Sequence, residues 1–211
     1  MKNIFSFFRK KKSATNADVN ADNFLQEDSI LVGYSNINEQ IITYSTALTF
    51  FNTKQTILDV GCGRGDLFAF LKEEHEDVFL DSNYYGIDYN PVIIESGKSK
   101  YGIDNIHVKD FNSFTLENKY NWVIACNFFN AFNENQYDYL YNCIDKMYNL
   151  CNIGIAFNVI TNQADITIDQ ENLFSTYDQG KILNHISLTY KKVVVRSDYL
   201  LGDTTYFIFK S

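Results

Sequence analysis

Three aspartates and three alternating glycines carry most of the chemistry legible in this chain. Asp59, Gly61, Gly63 and Gly65 lie in TILDVGCGRGDLFAFL, residues 56–71, while Asp88 closes YYGID and Asp110 closes NIHVKD. Glycine lacks a Cβ, so the turn can be tight and a ligand can come close to the backbone. The N–H groups that open the following helix lack intrahelical partners and point at such a ligand. An acid at a strand end can accept hydrogen bonds from paired ribose hydroxyls.

The glycine spacing narrows the ligand. A dinucleotide fingerprint reads G-x-G-x-x-G with an acid about 20 residues on. Here the third place holds Asp66, and the glycine falls one position earlier, at Gly65. Asp88 lies 29 residues after Asp59, too far for the dinucleotide spacing. A nicotinamide dehydrogenase is therefore a distant reading.

The elements that must position these residues follow from periodicity. Ile37, Ile41, Tyr44, Leu48 and Phe51 recur at helical spacing and predict a helix over 35–52, ahead of the first strand. Thr56–Leu58 start a strand, and Leu67, Phe70 and Leu71 mark the helix after the turn. The second strand is 84–88. Asn90 and Pro91 then start a helix as N-cap and first helical residue, with Gly102 as its stop. A third strand is expected over 105–111, with His107 alternating to the face away from Ile106 and Val108, a structural position. The run 120–126 is nearly all apolar and predicts a central strand. A helix over 134–151 buries Tyr137, Leu140, Ile144, Met147 and Cys151, and a fifth strand covers 153–160. A helix is expected around Ile182 and Ile186. Residues 192–199 and 204–210 read as a terminal hairpin through Leu201, Gly202 and Asp203.

The Asp59-x-Gly61-x-Gly63-x-Gly65 motif resembles motif I of the class I S-adenosylmethionine (SAM)-dependent methyltransferases. The resemblance spans about residues 34–211 at fold level, with its sharp motifs at 57–65, 88 and 110–111. It implies an α/β, Rossmann-like, doubly wound and mostly parallel seven-stranded sheet with an antiparallel C-terminal hairpin. It also implies SAM as cofactor. The glycine loop packs on the methionine part, Asp59 holds the amino group, Asp88 holds the ribose, and Asp110 with Phe111 meets the adenine. The cofactor set implied is Asp59, Gly61, Cys62, Gly63, Gly65, Asp88, Tyr89, Asp110, Phe111 and Cys126. Tyr34, Cys126, Asn127, Asn158 and Thr161 are candidates for the acceptor pocket, and none carries a catalytic signature. Base-modifying methyltransferases of nucleic acids carry a proline-rich motif after the fourth strand; CNFF stands there instead, and Cys126 follows Ala125 rather than a proline.

Composition bounds the partners. The chain has 211 residues, enough for one sizeable α/β domain. The net charge is −8, with five basic residues and no acid in the first 12. The remainder holds 13 basic against 26 acidic residues, a poor match to a phosphate backbone. Residues 1–12 (MKNIFSFFRKKK) could rest weakly on an anionic membrane surface, but so short a segment reads better as a flexible tail. Residues 1–23 are thus expected to be tail and linker, and 24–211 the domain. No apolar run approaches the roughly 20 residues of a membrane span. Four scattered cysteines form no C-x-x-C pair, so no metal site is expected, and reduced thiols fit a cytoplasmic protein. The reading is a methyltransferase acting on a small-molecule acceptor. The alternatives are a SAM-binding sensor or interaction protein without turnover, and a protein methyltransferase.

Overall fold

A computed structural model describes residues 34–51, 54–74, 79–113, 115, 118–131, 133–164 and 174–211. The expected tail and linker at 1–23 lies outside these residues. The chain divides into two compact units, residues 1–40 and 41–211. In the first, the described residues 34–40 form the entry to helix α1 (Ile37–Ala47). There the Asn36 side chain accepts from Glu39 N at 3.1 Å, and Ser35 N donates to Glu39 Oε2 at 3.3 Å. Both bonds satisfy donors that a helix start leaves open.

The second unit is an α/β sheet protein. Its strands are β1 (Ile57–Val60), β2 (Tyr84–Asp88), β3 (Ile106–Val108), β4 (Tyr120–Ala125), β5 (Cys151–Ile160), β6 (Val193–Arg196) and β7 (Asp203–Phe209). The helices after α1 are α2 (Asp66–Glu74), α3 (Pro91–Tyr101), α4 (Gln136–Leu150) and α5 (Gln179–Thr189). The seven strands run in the order β3-β2-β1-β4-β5-β7-β6. β1 to β5 pair in parallel, and β7 pairs antiparallel with β5 and β6. The expected central strand is central: β4 stands fourth of seven, and its last four residues are buried.

The sheet is covered on both faces. Leu58, Val60, Val123, Ala125, Ile155, Phe157 and Val159 pack with α4 and α5 through Ile144, Met147, Ile182 and Ile186. The alternate residues meet aromatic packing: Phe68, Phe79 and Tyr84 form one edge-to-face group, and Phe50 meets Phe207 and Phe209 at 5.0 and 5.1 Å.

Several expected boundaries shift, and the strand expected over 192–199 ends at Arg196. The helix expected over 35–52 ends at Ala47. β3 stops at Val108, because Asp110 leaves the ladder to make an Asx turn with Asn112. β5 starts at Cys151, paired with Tyr120 through an irregular register. The expected antiparallel hairpin forms, with its second strand, β7, standing between β5 and β6.

Candidate functional site

The glycine turn is fastened to β2 by its backbone. Gly61, Gly63 and Gly65 have φ of +71°, +54° and +81°, in the left-handed region where a Cβ is costly. Gly61 N and Cys62 N both donate to Ile87 O, at 2.9 and 3.0 Å, and Gly65 N closes onto Cys62 O at 2.9 Å. Asp88 ties the turn to the next helix. Its Oδ2 accepts from Gly63 N at 3.1 Å and its Oδ1 from Asn90 N at 2.9 Å. A carboxylate has about four acceptor positions, so both oxygens keep capacity toward a ligand. Asn90 caps α3 as expected, accepting from Val92 N and Ile93 N.

Two buried pairs brace this turn. Arg64 and Asp66 form an ion pair at 3.2 Å, with both residues nearly inaccessible. The Tyr101 hydroxyl of α3 also donates to Asp66. Asp59 is 2% exposed and accepts from the Tyr84 hydroxyl at 2.5 Å. Burial pushes its carboxyl up to about 7; the Tyr84 bond opposes this and the charge of Asp88 adds to it. Cys62 is buried against β2, where an added Cβ on Gly86 would stand 2.9 Å from its sulfur.

Further along the same edge, Asp110 is exposed and its Oδ1 accepts from Asn112 N at 3.0 Å. Phe111 is buried, with Lys146 Nζ 4.8 Å from its ring centre and bonded to its carbonyl. Tyr89 follows Asp88 and is 75% exposed. His107 stacks on Tyr85 at 4.4 Å, a packing role.

The exit of β4 forms the other side. Asn127 has φ +55°, the one non-glycine residue with positive φ among those described. Such strain persists only where its surroundings hold it. Asn127 N donates to Asn158 Oδ1 at 2.8 Å, and Asn127 Oδ1 accepts from Asn158 Nδ2 and Asn130 Nδ2, both at 2.9 Å. Asn158 Nδ2 also reaches both oxygens of Asp203 at 2.9 and 3.0 Å. Thr161 bonds to Gly202 O, which closes the end of β5 onto the turn before β7. The Phe128 ring lies over Gly61, where an added Cβ would come within 2.5 Å of it, and stands edge-on to Phe111 at 6.1 Å. Burial, then the charges of Asp59 and Asp203, raise the Cys126 thiol well above its ordinary value, which disfavours the thiolate.

The carboxyl ends of β1, β2 and β4 thus gather Asp59, the glycine turn, Asp88 and Cys126, with Asn158 contributed by β5. Tyr34 belongs to the first unit. Asn130, Tyr199 and Asp203 escaped the sequence reading. Asp203 carries one usable signal: it opens an antiparallel strand, so it begins where the parallel strands end.

A sequence model described as a methyltransferase domain matches residues 51–195, well over half of the chain. The chain belongs to this methyltransferase family. It is a methyltransferase whose fold is that of the class I SAM-dependent enzymes. Solved structures share the fold at low identity. The magnesium protoporphyrin IX methyltransferase from Synechocystis, solved with SAM bound, has a TM-score of 0.59 at 12% identity, covering 95% of this chain and 100% of that one. A plantazolicin methyltransferase, solved with a pentazolic substrate analogue and S-adenosylhomocysteine (SAH), scores 0.59 at 15% identity and covers 92% and 89%. A methyltransferase from Haloferax volcanii, solved in complex with the Trm112 activator, scores 0.65 at 11% identity and covers 90% and 93%. No curated protein matches the sequence. None of the described helices is long and apolar enough to cross a membrane. Among the described residues no cluster of histidine, cysteine or acidic side chains could hold a metal.

Proposed function

We propose that the protein transfers the methyl group of SAM to a small-molecule acceptor, with the cofactor laid along the carboxyl ends of β1, β2 and β3. Asp59 holds the amino group, and the backbone of Gly61, Cys62, Gly63 and Gly65 packs on the methionine part. Asp88 takes the ribose hydroxyls, Tyr89 flanks it, Asp110 and Phe111 meet the adenine, and Cys126 lies under the sulfonium. The observation that carries this reading is Asp88, which fastens the glycine turn and α3 together and keeps acceptor capacity on both oxygens.

SAM arrives with its methyl group already activated as a sulfonium. The protein's work is to align the acceptor atom with the S–CH₃ bond at about 3 Å. Two observations support a small acceptor. The polar wall opposite the turn is enclosed, with Asn130, Asn158 and Thr161 all under 5% exposed. The chain also carries 26 acidic against 18 basic residues, which disfavours a phosphate backbone.

Calorimetric titration with SAM and SAH tests the cofactor placement. Micromolar binding is expected in the wild type and its loss in Asp88→Ala, whereas equal affinity in the two would remove the ribose role. Incubating cell extract with methyl-labelled SAM then tests the acceptor. Label in the low-molecular-weight fraction is expected; label confined to protein bands would make this a protein methyltransferase.

A further inference from the structure

β3 ends at Val108, and one further backbone bond, from Lys109 N to Asp88 O at 2.8 Å, ties the chain to β2. The turn that follows, residues 110–112, is held by a helix instead. Tyr139, Cys143 and Lys146 recur at four- and three-residue spacing, so they share one face of α4. All three grip the turn. Lys146 Nζ donates to Phe111 O and, at 3.0 Å, to Asn112 O, and it lies 4.8 Å from the centre of the Phe111 ring. Cys143 Sγ stands 3.7 Å from Asn112 Oδ1, and the Tyr139 hydroxyl is hydrogen-bonded to the Asn112 side chain. Lys146 joins no ion pair among the described residues. Its ammonium instead serves two carbonyls that have left the ladder.

This grip fixes the placement of Asp110. The backbone N and the side-chain Nδ2 of Asn112 both donate to Asp110 Oδ1, at 3.0 and 3.2 Å. Asp110 is exposed, and its Oδ2 accepts no bond from the described residues. The carboxylate is thus held by one oxygen and leaves the other open to a ligand. Phe111 is anchored as well. It stands edge-on to Phe128 at 6.1 Å, and Phe128 covers Gly61 of the glycine turn. Packed side chains therefore connect the turn that Lys146 holds to the glycine turn.

We propose that Lys146 is a positioning residue that sets the base selectivity of the cofactor site; this rests on the cofactor placement above, with the adenine on Asp110 and Phe111. An ionised carboxylate accepts hydrogen bonds and cannot donate one. Opposite adenine, Asp110 Oδ2 pairs with the 6-amino group. Hypoxanthine carries a 6-oxo group at that place, which repels a carboxylate, and its nearest N–H lies on the adjacent ring nitrogen. A turn held by Lys146 keeps Oδ2 at the 6-position and rejects hypoxanthine. A turn released from Lys146 lets the carboxylate slide to the neighbouring N–H, and the rejection is lost.

The test compares SAH with its inosine counterpart, in which a 6-oxo group replaces the 6-amino group, by calorimetry on the full chain. The homocysteine and ribose contacts are common to both ligands and cancel in the ratio of affinities. The wild type is expected to favour SAH about tenfold or more. Lys146→Met keeps the stem against the Phe111 ring and removes the donors, so its ratio should fall to about twofold. Lys146→Arg still offers N–H donors to both carbonyls and should hold the ratio within about threefold of the wild type. A merely structural lysine would lower the melting temperature of the Met variant and leave its ratio at the wild-type value, which overturns the proposal. Equal loss of the ratio in the Met and Arg variants overturns it too. If Lys146→Met does not fold, Lys146→Gln takes its place, with one neutral donor on a stem one bond shorter, and an unchanged ratio there counts equally against the proposal. A wild type that binds SAH without preferring it overturns the adenine contact of Asp110 together with the role of Lys146. A wild type that binds neither ligand overturns the whole cofactor placement.

Discussion

At the scale of single residues, the energetics of the site centre on Asp59. Its carboxyl titrates near 7 in the folded protein against 3.8 as the reference, because burial disfavours the charge. The folded state therefore holds the proton more tightly than the unfolded chain. The stability this contributes is complete below about pH 4 and is lost as the pH rises through 7. Asp59→Asn keeps an acceptor for the Tyr84 hydroxyl and removes the charge. Relative to the wild type, the variant should gain about 2–4 kcal/mol between pH 4 and pH 8, read from denaturant melts at each pH. An unchanged difference would show that Asp59 does not carry the titration. The Asp59 turn was legible because its signal is local: strand, alternating glycines and helix sit within sixteen residues. Asp203 was not, since it owes its place to strands brought together from far along the chain.

At the scale of elements, the glycine turn depends on a helix that contributes none of its expected ligands. Gly97 lies inside α3, where a Cβ would stand 2.1 Å from Arg64 O and 2.6 Å from its carbonyl carbon. Those are backbone atoms of the turn, so neither side can yield without moving the glycine turn. Gly97→Ala should cost about 1–3 kcal/mol through this overpacking, and SAM affinity should fall with it, both read on the same protein by melting and calorimetry. Retained affinity beside lost stability would mean that the turn keeps its shape without α3. Capping signals made α3 readable: Asn90, Pro91 and Gly102 all stand where the sequence puts them. Gly97 was not readable, because a helix-interior glycine declares no partner. The ends of α1 and β3 also escaped, since a departing side chain such as Asp110 stops a strand without changing its pattern.

At the scale of the whole molecule, the insertion of β7 joins the candidate-site edge to the stability of the sheet. Alternation and turn chemistry announce a terminal hairpin, yet nothing local says which of its strands meets β5. Antiparallel β7 does so, pairing seven residues with β5 and four with β6. The arrangement brings Asp203 to the edge where the parallel strands end, while Tyr206, Phe207 and Ile208, fully buried, fill the middle of the sheet. These two roles separate along one strand. Phe207 packs edge-on against Phe50 at 5.0 Å, four residues beyond Asp203 and on the opposite side of the chain from Tyr206. Phe207→Ala removes a whole buried ring and should cost about 3–5 kcal/mol. Its urea midpoint should drop with an unchanged slope, while the affinity for SAH stays within twofold or so of the wild type under folding conditions. A large loss of SAH affinity would instead tie the glycine turn to the far side of the sheet, and the division of β7 into a polar end and a structural middle would fall.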